Sequence, residues 1–298
     1  MNNHTPTIAN VGLVAKSRLD PAAGVLAELA GWLEARRIHA IFETETAALA
    51  GVPTGRFTAT RDDLPNVSDL IIVLGGDGTL IGMAARIARA GKNIPILGVN
   101  FGSLGFLTEI TLAELYSSLE SVLGGTAEIE ERMMLQARTI RNGATFSEEV
   151  ALNDVVITKG ALSRIIDLSV AIGEQPVMRV RADGLIVASP TGSTAYNLGA
   201  GGPIVHPTVN ALLLTPIAPH MLTNRPIVIP ADSEVLVQSA MNGSNDEVFV
   251  TFDGQSGHPL EPGDTIGIRR ADRTLRLIRA STRTYFDMLR QKLKWGER

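Results

Sequence analysis

Gly75-Gly76-Asp77-Gly78-Thr79 is the segment of the chain best suited to chemistry. It stands where an apolar run, Asp69 to Leu74, stops and a segment of helical spacing begins. Ligands collect at such points of a parallel sheet, because loops splay apart there and the helix N-terminus presents free N–H groups. Glycines let the backbone approach phosphates with no Cβ in the way. An aspartate framed by glycines is expected to have few side-chain neighbours and to face a bound molecule. The plainer local reading is a strand-to-helix turn with Asp77 or Thr79 as its N-cap. The spacing is neither that of the G-x-x-x-x-G-K-[ST] phosphate loop nor that of G-x-G-x-x-G.

Asn100-Phe101-Gly102-Ser103-Leu104-Gly105-Phe106-Leu107 follows the next apolar run and is expected to line the same crevice. Leu152-Asn153-Asp154-Val155-Val156 sets two polar residues inside an apolar strand. Asn153 could hydrogen-bond a ligand amide or ribose, and Asp154 a ribose hydroxyl or an amine. A strand end or bulge accounts for the pair equally well. From Arg181 to Pro203 a strand leads through Asp183 into small hydroxyl and glycine residues and one tyrosine, Tyr196. Core packing has no use for so many small polar residues together, whereas a flat or sugar-bearing ligand does. Asp253 precedes Gly254 and is read as a turn residue, with Gln255 able to face a ligand. His4, His39, His206, His220 and His258 show no metal-ligand spacing and read as surface or loop histidines.

The elements that must position these residues fall into two patterns. Thr7 to Val14, Ile38 to Phe42, Asp69 to Leu74 and Ile94 to Val99 read as buried strands. Ala22 to Arg37 and Leu80 to Ala90 have apolar residues at helical spacing. This alternation predicts a Rossmann-like, doubly wound α/β domain over residues 1–127. From about residue 128 the chain turns to short β-like segments: 134–141, 149–158, 165–172, 175–182, 184–188, 227–229, 234–238, 248–252, 265–270 and 274–279. Turn pairs such as Asn142-Gly143 and Asn242-Gly243 separate several of them. A mostly β second domain, a sandwich, is expected over residues 128–280. Residues 281–298 carry a helix, Tyr285 to Trp295, expected to pack back on the first domain.

Composition narrows the function classes. The 298 residues are 45% hydrophobic and 19% charged, an ordinary globular balance. A net charge of −4 and 4% aromatics disfavour a nucleic-acid surface. They leave a nucleotide ligand open, since backbone N–H groups, a metal ion and a few arginines can hold phosphates. With no cysteine there is no disulfide, thiolate zinc site or cysteine nucleophile. No stretch approaches the roughly 18 to 20 apolar residues of a membrane span. The first residues do not read as a secretory signal, so no membrane partner and a cytoplasmic location are expected.

In order and type, the segments from Asp69 to Gln255 resemble the NAD kinase family. The Gly75–Thr79 motif alone is shared with diacylglycerol kinases, sphingosine kinases and phosphofructokinases; Asn153-Asp154 and the Asp183 to Pro203 run single out NAD kinases. The resemblance implies an α/β domain followed by a β-sandwich, with the nucleotide between them, in a homodimer or homotetramer whose subunits complete each other's sites. It implies Asp77 as the catalytic aspartate and Gly78 as a ligand contact. Asn153 and Asp154 would hold one end of the dinucleotide, flanked by Arg164, Arg181 and Asp183. Thr194, Ala195, Tyr196, Asn197, Leu198 and Gly199 would line the adenosine region, with Ala218 and Gln255 as further contacts. The substrates would be NAD and ATP, the latter with a divalent metal, Mg²⁺ first among them; some family members accept polyphosphate. A lipid kinase of the diacylglycerol type shares the glycine turn but needs a lipid-facing basic anchor, which the sequence lacks. A non-catalytic dinucleotide sensor would keep the Asp183 to Pro203 run and have no need of Asp77.

Overall fold

The computed structural model describes residues 8–55, 57–102, 104–160, 163, 165–221, 223–240, 247–279 and 283–295. The chain divides into two compact units, one of Met1–Glu131 with Leu275–Arg298, the other of Arg132–Thr274.

In the first unit the strands Thr58–Ala59, His39–Glu43, Asn10–Ala15, Leu70–Gly75 and Pro95–Asn100 lie side by side in that order, all parallel. The order reverses between Asn10–Ala15 and Leu70–Gly75, which makes the carboxyl ends of those two strands a topological switch point. Every residue of Leu70–Gly75 and Pro95–Asn100 is buried, as in parallel strands covered on both faces. The helix Ala22–Glu34 buries Leu26, Leu29 and Leu33 at helical spacing against this sheet. It ends three residues before the expected Arg37, which adopts a left-handed φ of 62°.

The helix after the glycine turn starts earlier than its apolar pattern implies. It runs Asp77–Arg89, with extended Gly76 as N-cap and no side-chain cap. Asp77 is therefore the first helical residue, and neither it nor Thr79 is the cap. Leu80, Met83, Ala84 and Ile87 form the buried face.

The second unit is a sandwich of two antiparallel sheets. One has the order Ile227–Pro230, Ala211–Ile217, Gly184–Ala188, Asp154–Lys159, Val248–Phe252, Ser256–Leu260. The other contains Gln175–Ala182, Ile166–Ile172, Val235–Ala240 and the start of Thr265–Arg279. Leu168, Val170, Val237 and Ile266 from the second sheet share one core with Val155, Ile157, Leu185 and Val250 from the first. Alternating burial along Ile166–Ile172 follows from this packing.

Two expectations are corrected here. The run 149–158 is not one strand. Ala144–Ala151 and Asp154–Lys159 belong to different sheets, and the chain bends at Leu152 and Asn153. Conversely, 265–270 and 274–279 are one strand, Thr265–Arg279. It pairs with Val235–Gln238 at its start and with Pro95 and Ile96 near its end. Ala271-Asp272-Arg273 contains no glycine or proline to interrupt it. The helix Tyr285–Leu293 belongs to the first unit. Arg283 ties its start to that unit through Glu109 O and the Glu114 carboxylate.

Candidate active site

The first unit supplies Asp77, and its surroundings differ from those expected of a residue in an open glycine turn. The carboxylate is half-buried and accepts hydrogen bonds from a returning loop. Phe106 N–H donates to Oδ2 at 2.8 Å. Leu107 N–H, Thr108 N–H and the Thr108 hydroxyl donate to Oδ1 at 3.2, 2.9 and 2.9 Å. A Cβ on Gly105 would lie 1.9 Å from Asp77 Oδ1, so glycine there is a condition of this arrangement. Asn100 extends the network, donating from Nδ2 to Thr108 Oγ1 and accepting from Gly102 N–H. Gly78 is exposed.

Beside Asp77, the ends of three strands enclose a cavity of about 260 Å³ lined by Lys16, Leu19, Gly75, Gly76, Asn100, Phe101 and Gly102. It lies at the switch point of the sheet. A Cβ on Gly75 would stand 3.1 Å from Lys16 Cβ and 3.0 Å from Thr79 Oγ1, so glycine keeps this floor open.

In the second unit, three segments meet at one end of the six-stranded sheet. Asp154 begins a strand, paired with Ala188 on one side and followed by Val155, which pairs with Phe252 on the other. The bend Leu152–Asn153, the turn after Ala188 and the turn after Phe252 therefore lie together. Ser189 N–H donates to Asn153 O at 2.8 Å, and Ser189 Oγ–H to Leu152 O at 2.5 Å. A Cβ on Gly192 would come within 2.1 Å of Asn153 O. From the other side the Asp253 carboxylate accepts from Leu152, Asn153 and Asp154 N–H at 2.7, 2.7 and 3.0 Å. These donors leave the sheet ladder to meet a carboxylate, which is why the expected strand breaks.

Asp154 is 5% exposed. Burial, and then the charge of Asp253, push its carboxyl up to about 7. Burial raises Asp253 too, and the three N–H donors offset only part of that rise. Two carboxylates in one poorly solvated site do not both ionise readily. The donors assign the charge to Asp253 and the proton to Asp154.

Thr194, Ala195, Tyr196, Leu198 and Gly199 lie along the short turns that follow Ser189, with Tyr196 exposed. Asn197 differs from its neighbours. Its Nδ2 donates to Ser193 O and Pro203 O, its Oδ1 accepts from the Thr215 hydroxyl at 2.6 Å, and it is 0% exposed. It shapes the segment from within, with both Nδ2 hydrogens engaged by backbone carbonyls.

Arg181, Asp183 and Ala218 are not brought to this end. Asp183 precedes the strand Gly184–Ala188, and Ser189 follows it. The two lie roughly 20 Å apart at about 3.3 Å per residue. Around Asp183, Lys159 Nζ stands 3.6 Å from Oδ1, Ile217 O accepts the Asp183 N–H, and Ala218 holds a left-handed φ of 45°. Arg181 is exposed, and its carbonyl accepts from His220 N–H. Gln255 is exposed in the turn after Phe252. Arg164 lies outside the described residues.

Sequence reading missed two groups here. Asp253 is more than a turn residue, because its carboxylate holds the Leu152–Asp154 backbone. Thr191, beside Gly192, carries a buried hydroxyl with no hydrogen-bond partner among the described residues. A buried hydroxyl inside a run of small polar residues is the signal that could have marked it.

Comparison with known proteins identifies both halves of the chain. Residues 11–127 match the ATP-NAD kinase N-terminal domain and residues 152–280 the ATP-NAD kinase C-terminal domain. An NAD kinase of Geotalea daltonii is 48% identical over 97% of this chain and 99% of its own length. One of Geobacter metallireducens is 48% identical with the same coverage. In fold, the chain is similar to a yeast NADH kinase complexed with NADH, with a TM-score of 0.90 at 24% identity, covering 98% of this chain and 89% of that one. It is also similar to an NAD kinase from Archaeoglobus fulgidus in complex with ATP, with a TM-score of 0.75 at 22% identity, covering 96% and 100%. With both domain models matched in order and near full-length relatives at 48% identity, the chain belongs to the ATP-NAD kinase family.

Proposed function

We propose that the chain is an NAD kinase, transferring the γ-phosphoryl group of ATP to the 2′-hydroxyl of the adenosine ribose of NAD to give NADP and ADP. Beyond family membership, the observation that carries the reading is the Asp77 carboxylate at the switch point. Its Oδ1 accepts three hydrogen bonds and its Oδ2 one among the described residues. A carboxylate oxygen has about two acceptor sites, so Oδ2 keeps room for a ribose hydroxyl. There it orients the hydroxyl and takes its proton as the new bond to phosphorus forms and the bond to the leaving ADP breaks.

The cavity at Lys16, Gly75 and Gly76 suits the phosphates of ATP, with free N–H groups of a helix start beside it. Among the described residues no three acidic or histidine side chains converge as a metal cage. A divalent ion such as Mg²⁺ would therefore arrive on the phosphates of ATP, as it commonly does. In the second unit, Asn153, Asp154, Thr194, Ala195, Tyr196 and Gln255 form the NAD contacts in this reading, and the orphaned Thr191 hydroxyl gains a partner from the ligand.

The separation of Asp183, Arg181 and Ala218 from Asn153 supports a role for that second group in a neighbouring copy's site. Self-association as a homodimer or homotetramer goes with this reading. No described helix is long and apolar enough to cross a membrane. With ATP as co-substrate, the proposed compartment is the cytoplasm.

Incubation with NAD, ATP and Mg²⁺, followed by an NADP-specific cycling assay, tests the reaction. NADP should accumulate with time and enzyme; its absence with active donor present overturns the reading. Sedimentation tests assembly, and a single species at the chain mass of 31.7 kDa at micromolar concentration would count against it.

A further inference from the structure

Among the described titratable groups, the half-buried Asp253 is one whose bonding is spent on a candidate ligand segment. It takes a left-handed φ of 52° in the turn after Phe252. Its own N–H donates to Asp154 O at 2.9 Å while its carboxylate accepts from Leu152, Asn153 and Asp154 N–H. One residue thus holds three N–H groups and one carbonyl of the segment that carries Asn153 and Asp154. The opposite side of that peptide is held by Ser189 and closed by Gly192. This half-buried carboxylate meets three backbone donors on the loop next to the ligand side chains.

We propose that Asp253 is a positioning residue for the dinucleotide, its carboxylate fixing the Leu152–Asp154 backbone so that Asn153 and Asp154 are presented in one orientation. This rests on the NAD kinase reading of the site. The arrangement does more than hold geometry. Asp253 is the charged group acting on Asp154, whose carboxyl stands near 7. Removing that charge while keeping the turn should therefore alter both the fit of NAD and the ionisation of its neighbour.

The substitution is Asp253→Asn, which tolerates a left-handed φ. Asparagine keeps one acceptor oxygen but turns an NH₂ group toward a backbone donor. The expected result is a rise in KM for NAD of about tenfold or more with kcat within about threefold, because the residue touches the binding loop and not the reacting atoms. KM for ATP should be unchanged. The kcat/KM profile for NAD in the wild-type chain should show a transition near pH 7, moved toward acid in the variant. A role confined to stability would lower the melting temperature and leave the KM ratio and the profile where they were, and that result overturns the proposal.

Asp253→Gly, which keeps the turn without a carboxylate, is read by the same assays. Should neither variant fold, amide hydrogen exchange at Leu152, Asn153 and Asp154 in the wild-type chain without NAD decides. Strong protection of all three supports the proposal, and exchange at the rate of an open loop overturns it. Failure of the wild-type chain to make NADP is a separate outcome that removes the functional reading on which the proposal rests.

Discussion

Asp77 and Thr108 are joined twice, through the Thr108 N–H and the Thr108 hydroxyl, both 2.9 Å from Asp77 Oδ1. The carboxylate proposed to handle the ribose proton is also the anchor of the loop that returns beside it. Its position is thereby fixed without any substrate, which is what a group acting in a transition state requires.

Asp77→Asn should therefore have two effects. Loss of the proton acceptor lowers kcat by about 10²- to 10⁴-fold. The NH₂ group also opposes at least one of the N–H donors from Phe106, Leu107 and Thr108, and leaving a buried donor unsatisfied costs about 1–3 kcal/mol. The fold is not indifferent to this substitution, as an open turn would have been. The measurements are kcat and thermal unfolding on one preparation. A folded variant within about threefold of wild-type kcat, well under 1 kcal/mol of barrier, ends the assignment of Asp77 as base.

Gly105→Ala should damage the same site from the loop side. Its Cβ would fall 1.9 Å from Asp77 Oδ1 and 2.6 Å from Thr108 Oγ1. The loop or the carboxylate must move, and overpacking of this kind costs about 1–3 kcal/mol. The expected outcome is a drop in kcat of at least about tenfold, since displacement by about 1 Å can cost that much or more. Unchanged kcat with unchanged melting temperature would mean that the contact between Gly105 and Asp77 is not maintained in solution.

The parts that sequence makes legible are those written in side-chain type. Leu70–Gly75 is apolar throughout and stops at glycines, so the strand, the turn and the helix that follow are visible locally. Leu168 and Val170 alternate with exposed residues and announce one face of the sandwich. What stays hidden is bonding to the backbone across long separations. The partners of Asp77 are N–H groups 29 to 31 positions away. Those of Asp253 are 99 to 101 away. Every residue but proline carries an N–H, so no residue type marks such a partner. The same holds for Asn197, which sits in a run that looks made for a ligand while its amide is used by Ser193, Pro203 and Thr215.

Ala218→Gly should stabilise the chain. Ala218 holds φ at 45°, where a Cβ is crowded and glycine is not. Relief of that strain is worth about 1–2 kcal/mol, less the extra freedom glycine gives the unfolded chain, about 0.4–1 kcal/mol. A net gain of a few tenths to about 1 kcal/mol is expected by urea unfolding. If the variant is less stable, the left-handed conformation is not the resting one.

Asp154 should make stability depend on pH in a direction opposite to that of a salt-bridged carboxylate. Its ordinary value of 3.8 applies to the unfolded chain, and burial with the neighbouring Asp253 charge raises it to about 7 in the fold. Between these values the folded chain holds more protons at this site than the unfolded chain. Stability from this group therefore falls as pH rises from about 4 to about 7 and levels off above that. For the salt-bridged Asp264 the cost of burial is outweighed by the Arg141 hydrogen bond, which holds it below its ordinary value, so it acts the other way but does so below pH 4. Between pH 5 and pH 8 the burial-raised Asp253 acts in the same direction as Asp154 and the burial-lowered His258 in the opposite one, so the Asp154 contribution is read as the difference between wild type and a variant lacking that carboxyl. A tenfold change in proton affinity on folding corresponds to about 1.4 kcal/mol, and sharing of the proton with Asp253 reduces the total, so a loss of about 1–3 kcal/mol over that interval is expected. Asp154→Asn removes the titration while keeping the shape of the neutral acid. Its urea-unfolding free energy should match wild type near pH 5 and exceed it near pH 8 by that amount. Parallel stability curves for the two proteins across this range would mean that Asp154 is ionised in the fold, and the assignment of its proton would be wrong.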